Sequence, residues 1–108
     1  MRKIEEFKRN VARGQIFRIT RIALNYEISD MADLLGISKS YISLIENGKR
    51  NVNSNVLNKY LEYFAVDCQT FNKVENEVRD ILFSEEVEMI KVAYYVVGML
   101  RVSKKYVA

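Results

Sequence analysis

A chain of 108 residues, 49% of them hydrophobic, is sized for one small domain with a helical extension and is too apolar for global disorder. It has no proline and only four glycines, and it shows no strand-like alternation between turn residues, which together point to an all-helical protein with short connections. The net charge of +3 is unevenly spread: residues 1–60 carry eleven Lys/Arg against six Asp/Glu, and residues 61–108 carry six against eight. The basic half has the balance of a surface that meets polyphosphate, although a solvated helix face accounts for the same charge.

At the start of the chain, Ile4, Phe7 and Val11 recur about a turn apart among Lys, Arg and Glu, which predicts an amphipathic helical arm over residues 1–12. Arg2, Lys3, Lys8 and Arg9 give this arm the charge to touch DNA; packing of its apolar face on the domain or on a second subunit explains the pattern equally well. The segment lacks the apolar core of a signal peptide. Residues 14–25 are more apolar, with Ile16, Phe17, Ile19, Ile22, Ala23 and Leu24, and Arg18 and Arg21 lie three apart on one face. Asn25, Tyr26 and Glu27 form a connection in which Tyr26 is the buried plug.

Over residues 28–35, Ile28, Met31, Ala32, Leu34 and Leu35 give an apolar face at helical spacing, and Gly36 follows as a stop signal suited to a left-handed helix end. Ser38 stands at the N-cap of a next helix, residues 39–46. That helix points Ile42 and Ile45 one way and leaves Lys39, Ser40, Ser43 and Leu44 free. The major groove of DNA accepts a short helix with small polar and basic residues near its exposed N-terminus. Asn47-Gly48-Lys49-Arg50-Asn51 reads as a loop in which Gly48 permits a positive φ and brings backbone N–H groups near a phosphate; a polar turn between helices satisfies the same residues. Asn53 or Ser54 caps a fourth helix walled by Val56, Leu57, Tyr60, Leu61 and Phe64, and Asp67 is placed to cap a fifth.

Ala32, Leu35-Gly36-Ile37-Ser38, Ser40-Tyr41-Ile42-Ser43 and Ile45-Glu46-Asn47-Gly48-Lys49-Arg50, all in register, resemble the Cro/phage-repressor-type (XRE-like) helix-turn-helix family. A looser match runs from residue 14 to residue 67. The resemblance implies an all-α, five-helix lambda-repressor-like DNA-binding domain over residues 13–67, with an additional C-terminal helix or helices. It implies base contacts from Ser38, Lys39, Ser40, Ser43 and Leu44, with Lys39 donating to guanine O6 or N7. It implies phosphate contacts from Arg18, Arg21, Tyr41, Asn47, Lys49 and Arg50, though ring packing at the helix end is a second role open to Tyr41. Two departures stand out. Where the family often has a Ser or Thr cap followed by a phosphate-bonding Gln, this chain has Glu27 and Ile28, and Ile28 donates no hydrogen bond. Leu44 replaces a commonly polar residue and can meet a thymine methyl or another protein, while Asp30 and Asp33 add negative charge nearby.

Residues 68–108 lie beyond the family pattern and are expected to form a C-terminal helical extension that dimerises the chain. Cys68 is the only cysteine and histidine is absent, so neither an internal disulfide nor a Cys/His zinc site can form; Cys68 reads as a small part-buried residue or a redox-sensing thiol. Phe71, Val74, Val78, Ile81 and Leu82 mark an amphipathic helix, and Ser84-Glu85-Glu86 signals the start of another. In that last helix Val87, Ile90, Tyr94, Val97, Leu100 and Arg101 trace one face, while apolar residues crowd the others. A helix apolar nearly all round is buried on more than one side, which predicts a subunit interface through Ile90, Tyr94, Val97 and Leu100. Residues 103–108 read as a loose basic tail.

The sequence thus favours a sequence-specific DNA-binding transcriptional regulator that binds double-stranded DNA as a homodimer on a near-palindromic operator, with repression by blocking polymerase as its simplest output. The alternative is a protein-interaction module that keeps the fold, reads little DNA and binds a partner regulator; Ile28, Leu44, Asp30 and Asp33 support it. Between them lies a chain whose C-terminal helices exchange between homodimer and an antagonist protein or peptide. An enzyme is disfavoured, because the chain has no histidine, phosphate-cradling glycine loop or recognisable carboxylate pair; no cofactor or metal is implied. The apolar run over residues 92–100 falls short of the roughly 20 residues that span a bilayer, so a soluble cytoplasmic protein is expected.

Overall fold

A computed structural model describes residues 2–84 and 89–100. Those residues form six α-helices and no strand: α1 (Arg2–Ala23), α2 (Ile28–Leu35), α3 (Lys39–Glu46), α4 (Ser54–Tyr63), α5 (Cys68–Leu82) and α6 (Met89–Leu100). The protein has the all-α helix-turn-helix fold expected from its sequence. The helix start read at Glu85 and Glu86, the face positions Val87 and Arg101, and the tail over residues 103–108 lie outside the described residues.

The expected arm and the first family helix are one uninterrupted helix of 22 residues. Nothing between them breaks a helix, since Gly14 costs only about 1 kcal/mol in a helix interior. Gly14 is fully enclosed, and a Cβ there would collide with the carbonyl oxygen of Ile45 and come within 3.0 Å of that of Glu46. Glycine therefore sits mid-helix so that the end of α3 can lie directly against α1.

α1 is the central strut. It packs against α3, α5 and α6, while α2 packs on α3 and α4, and α5 on α6. Its inner stripe of Ala12, Ile16, Phe17 and Thr20 is buried, as helical spacing requires, and Leu24 just past its end is buried as well. At the centre of the core the Phe17 ring stacks on Tyr60 with centroids 4.4 Å apart, and Phe64 and Phe71 close round the same ring at 4.8 and 5.8 Å. The Thr20 hydroxyl donates to the Ile16 carbonyl at 2.8 Å, so in the 2.7 Å contact between Thr20 and Tyr60 the phenol must be the donor. Burial raises the Tyr60 phenol pKa far above its ordinary value.

The helix ends follow the sequence closely. Gly36 adopts φ 67° after α2, with Ile37 N–H bonding back to Ala32. Ser38 Oγ accepts from Tyr41 N–H at 3.1 Å, Asn53 rather than Ser54 caps α4 through Val56 N–H, and Asp67 caps α5 through Thr70 N–H. At α2 the cap Glu27 is assisted by Asp30, whose carboxylate accepts from Glu27 N–H at 2.8 Å, so this acid closes a helix as well as charging its surface.

Val92, Val96 and Leu100 form the buried side of α6, which packs on α1 and α5. Leu100, read from sequence as part of a subunit interface, is 3% exposed within its own chain. Ile90 and Tyr94, read as sharing a face with it, instead stand 64% and 75% exposed; Val97 is half-buried between the two sides.

Candidate nucleic-acid interface

The site is built on α3. The Ser38 cap fixes where the helix begins, and Ile42 and Ile45 are wholly buried, which sets its rotation. With these anchored, Ser38, Lys39 and Ser40 are exposed at the N-terminus, while Ser43 and Leu44 are half-exposed one turn later. Leu44 lies outside the apolar core. All five residues read as base-contacting from the sequence thus fall on one outward surface of a helix two turns long. On the preceding helix Asp30 and Asp33 are exposed, and Ile28 is half-buried against the core.

Two carboxylates that the sequence reading assigned no role tie other helices to the strut, Glu46 from α3 and Glu75 from α5. Glu46, at the end of α3, is 2% exposed and takes a forked pair from Arg21, with Nε to Oε2 at 2.7 Å and the second nitrogen to Oε1 at 3.0 Å. Arg18 Nε reaches Oε1 of the same group at 3.4 Å. The hydrogen bonds that Arg21 donates to Glu46 hold its pKa above the ordinary range. Glu75, on α5, accepts a single hydrogen bond from Arg13 Nε and lies 4.0 Å from Arg9 Nε. The signal for both was present in the spacing. Glu46 continues the buried stripe of Ile42 and Ile45, and Glu75 sits inside the i, i+3, i+4, i+7 stripe of Phe71, Val74 and Val78. A carboxylate inside an apolar stripe needs a buried cation opposite, and α1 supplies two arginines at helical spacing for each.

The six residues read as phosphate contacts differ in freedom. Lys49 and Arg50 are exposed and form no ion pair among the described residues. Arg18 is 35% exposed and also donates to Asn47 Oδ1 at 3.0 Å. Asn47 in turn donates to the Ser43 carbonyl at 2.8 Å, so both ends of its amide are engaged. Arg21 is committed to Glu46 and to the Tyr26 carbonyl. The Tyr41 hydroxyl donates to the Asn51 carbonyl at 3.1 Å and accepts from the Asn53 N–H and side-chain amide at 3.3 Å. Its one proton is used within the loop, so in this structure Tyr41 shapes the loop.

Gly48 has φ 70°, as the loop requires, and a Cβ there would lie 3.0–3.1 Å from Val11 of α1. Its N–H bonds to Ile45 and that of Lys49 to Leu44, so these two donors close the end of α3. Of the backbone N–H groups that Gly48 was expected to bring near a phosphate, those of Gly48 and Lys49 are thus taken up within the fold. Lys59 Nζ approaches the Leu35 carbonyl at 3.4 Å, placing a cation at the negative end of α2 and beside the Gly36 turn.

No curated protein and no solved structure matches the chain. The family model of a helix-turn-helix domain matches residues 14–77, more than half of the chain, from the second half of α1 through α2, α3 and α4 into α5. With its capped turn between α2 and α3, its buried inner face on α3 and its exposed outer one, the chain belongs to this helix-turn-helix family.

Proposed function

We propose that this chain is a sequence-specific DNA-binding transcriptional regulator that acts as a homodimer on a near-palindromic operator, with repression by occlusion of polymerase as its output. The observation that carries the reading is the outward surface of α3, where Ser38, Lys39, Ser40, Ser43 and Leu44 stand together while Ile42 and Ile45 are fully buried. Such a helix lies in the major groove, Lys39 reads guanine O6 or N7, the serines bond base edges and Leu44 meets a thymine methyl. Lys49, Arg50 and Arg18 neutralise phosphates, Asn47 lies among them, and Arg21 and Tyr41 serve this surface from behind by holding α3 and its loop. Ile90, Tyr94 and Val97, on the outer side of α6, join two copies, with Leu100 beneath them as support.

Selection from a random duplex library, with affinity followed against salt, tests the reading. Recovery of two half-sites about 34 Å apart, bound with a steep salt slope, is the expected result. Recovery of no motif, with only weak salt-sensitive binding, would sink it. The exposed Ile90 and Tyr94 then favour the second reading, in which the fold binds a partner regulator through α6.

A further inference from the structure

The cations read from sequence as a DNA-touching N-terminal arm are separated by the structure. Lys8 stands over the Phe83 ring, 5.4 Å from its centroid, and Arg9 faces Glu75, so both belong to the side of α1 that meets α5. Lys3 belongs to another side. It lines a recess of about 450 Å3 together with Phe7, Asn10, Gly48 and Lys49, the last two from the loop that follows α3. The loop is seated on α1 without slack, because Gly48 leaves no room for a Cβ against the Val11 backbone. Since α1 is continuous from Arg2 to Ala23, Lys3 is held by a helix rooted in the core, in a fixed relation to Lys49.

From this geometry we infer that the first turns of α1 extend the DNA interface along the duplex backbone. Lys3 and Lys49 flank one recess that receives a phosphate, and Asn10 lies on its wall. Both lysines are exposed and neither forms an ion pair among the described residues. Asn10 Oδ1 is buried and, as an acceptor, offers no bond to an anion, so the two lysines carry the contact. Glu6 also lines it and opposes an anion; two lysines against one carboxylate leave the recess positive. The exposed ring of Phe7 offers apolar surface to the adjoining sugar. The inference rests on the DNA-binding reading and adds to it a contact that positions the protein and reads no base.

The test measures binding of the full-length chain, as wild type, Lys3→Ala, Lys3→Arg and Lys8→Ala, to a 30-bp duplex carrying the selected motif and to a scrambled 30-bp duplex, from about 0.05 to 0.5 M salt. Loss of one phosphate contact lowers the slope of log K against log salt by about 0.9, and weakens binding roughly eightfold at 0.1 M salt. Lys3→Ala is expected to show this on both duplexes equally, with Lys3→Arg restoring the slope and Lys8→Ala leaving it at the wild-type value. A structural role for Lys3 would lower the melting temperature without altering the slope. An unchanged slope in Lys3→Ala, or an equal fall in Lys8→Ala, overturns the inference while leaving the DNA-binding reading intact. Wild-type protein that binds neither duplex overturns both.

Discussion

Replacing Glu46 by glutamine tests whether the recognition helix is held by charge. The carboxylate is 2% exposed and its main partner, Arg21, 16%. Removing one member of a fully buried ion pair costs about 3–5 kcal/mol, because the other charge is left uncompensated. Two features reduce that figure here. Glutamine keeps one carbonyl oxygen for the guanidinium, and Arg21 keeps the Tyr26 carbonyl at 3.0 Å together with a fringe of water. The expected loss is therefore about 2–3 kcal/mol, or a fall of roughly 10–15 °C in Tm for a domain of this size. The reverse change, Arg21→Gln, should cost more, since it strands a deeper carboxylate with only the 3.4 Å contact to Arg18. Thermal melts followed by circular dichroism, completed with the double variant, give the coupling between the two, expected at about 1.5–3 kcal/mol. A Glu46→Gln melt within about 2 °C of wild type, or a coupling below about 0.5 kcal/mol, refutes the argument.

Gly14→Ala should destabilise by about 1–3 kcal/mol in the same melts, because its methyl group meets the α3 carbonyls. Gly98→Ala, with nothing within 4 Å, should instead stabilise by up to about 1 kcal/mol, and equal effects at the two glycines would remove the case for close contact of α1 and α3. The raised pKa of Tyr60 makes stability depend on pH in the alkaline range. The folded chain keeps the phenolic proton while the unfolded chain releases it above its ordinary pKa of about 10, so this contribution is complete below pH 10 and is lost as pH rises beyond it. Unfolding free energies from urea titration of wild type and Tyr60→Phe should therefore diverge in slope by up to about 1.4 kcal/mol per pH unit above pH 10, and parallel slopes would show that Tyr60 ionises freely in the fold. Lys39→Ala should relax the preference at one base position by about 1–3 kcal/mol; uniform weakening on all duplexes would move Lys39 to the phosphate set.

What could be read from the sequence was local. Gly36, Ser38 and Asp67 act through bonds within a few residues of themselves, and Ile42 and Ile45 declare their face by spacing alone, so the capped turn and the rotation of α3 were legible. The continuity of α1 was not, because Gly14 as a helix start and Gly14 as a point of close approach look alike until α3 is in place. Tyr41 was ambiguous for a similar reason: its hydroxyl is used by a loop ten residues on, whose path no periodicity describes. The over-apolar sequence of α6 did not show which of its residues the fold buries, since the choice depends on how α1 and α5 meet it.

Charge gives the most instructive case. The basic excess of the first sixty residues suggests a phosphate-facing surface, yet Arg9, Arg13, Arg18 and Arg21 are paired inward with Glu75 and Glu46. Each carboxylate meets two arginines, so each cluster keeps one surplus positive charge, and the surplus must lie on the arginine that is held less well. In the α3 cluster Arg21 makes the forked, short contacts and is mostly buried, while Arg18 makes one contact at 3.4 Å and is 35% exposed. Swinging Arg18 outward leaves Glu46 its forked pair, whereas swinging Arg21 outward leaves it only the single 3.4 Å contact to Arg18. Two arginines that share a helix face and read alike in sequence are thus divided by a single buried carboxylate. Arg21 fixes the recognition helix, and Arg18, beside Asn47 and the Lys49–Arg50 loop, is the one with charge to offer a phosphate.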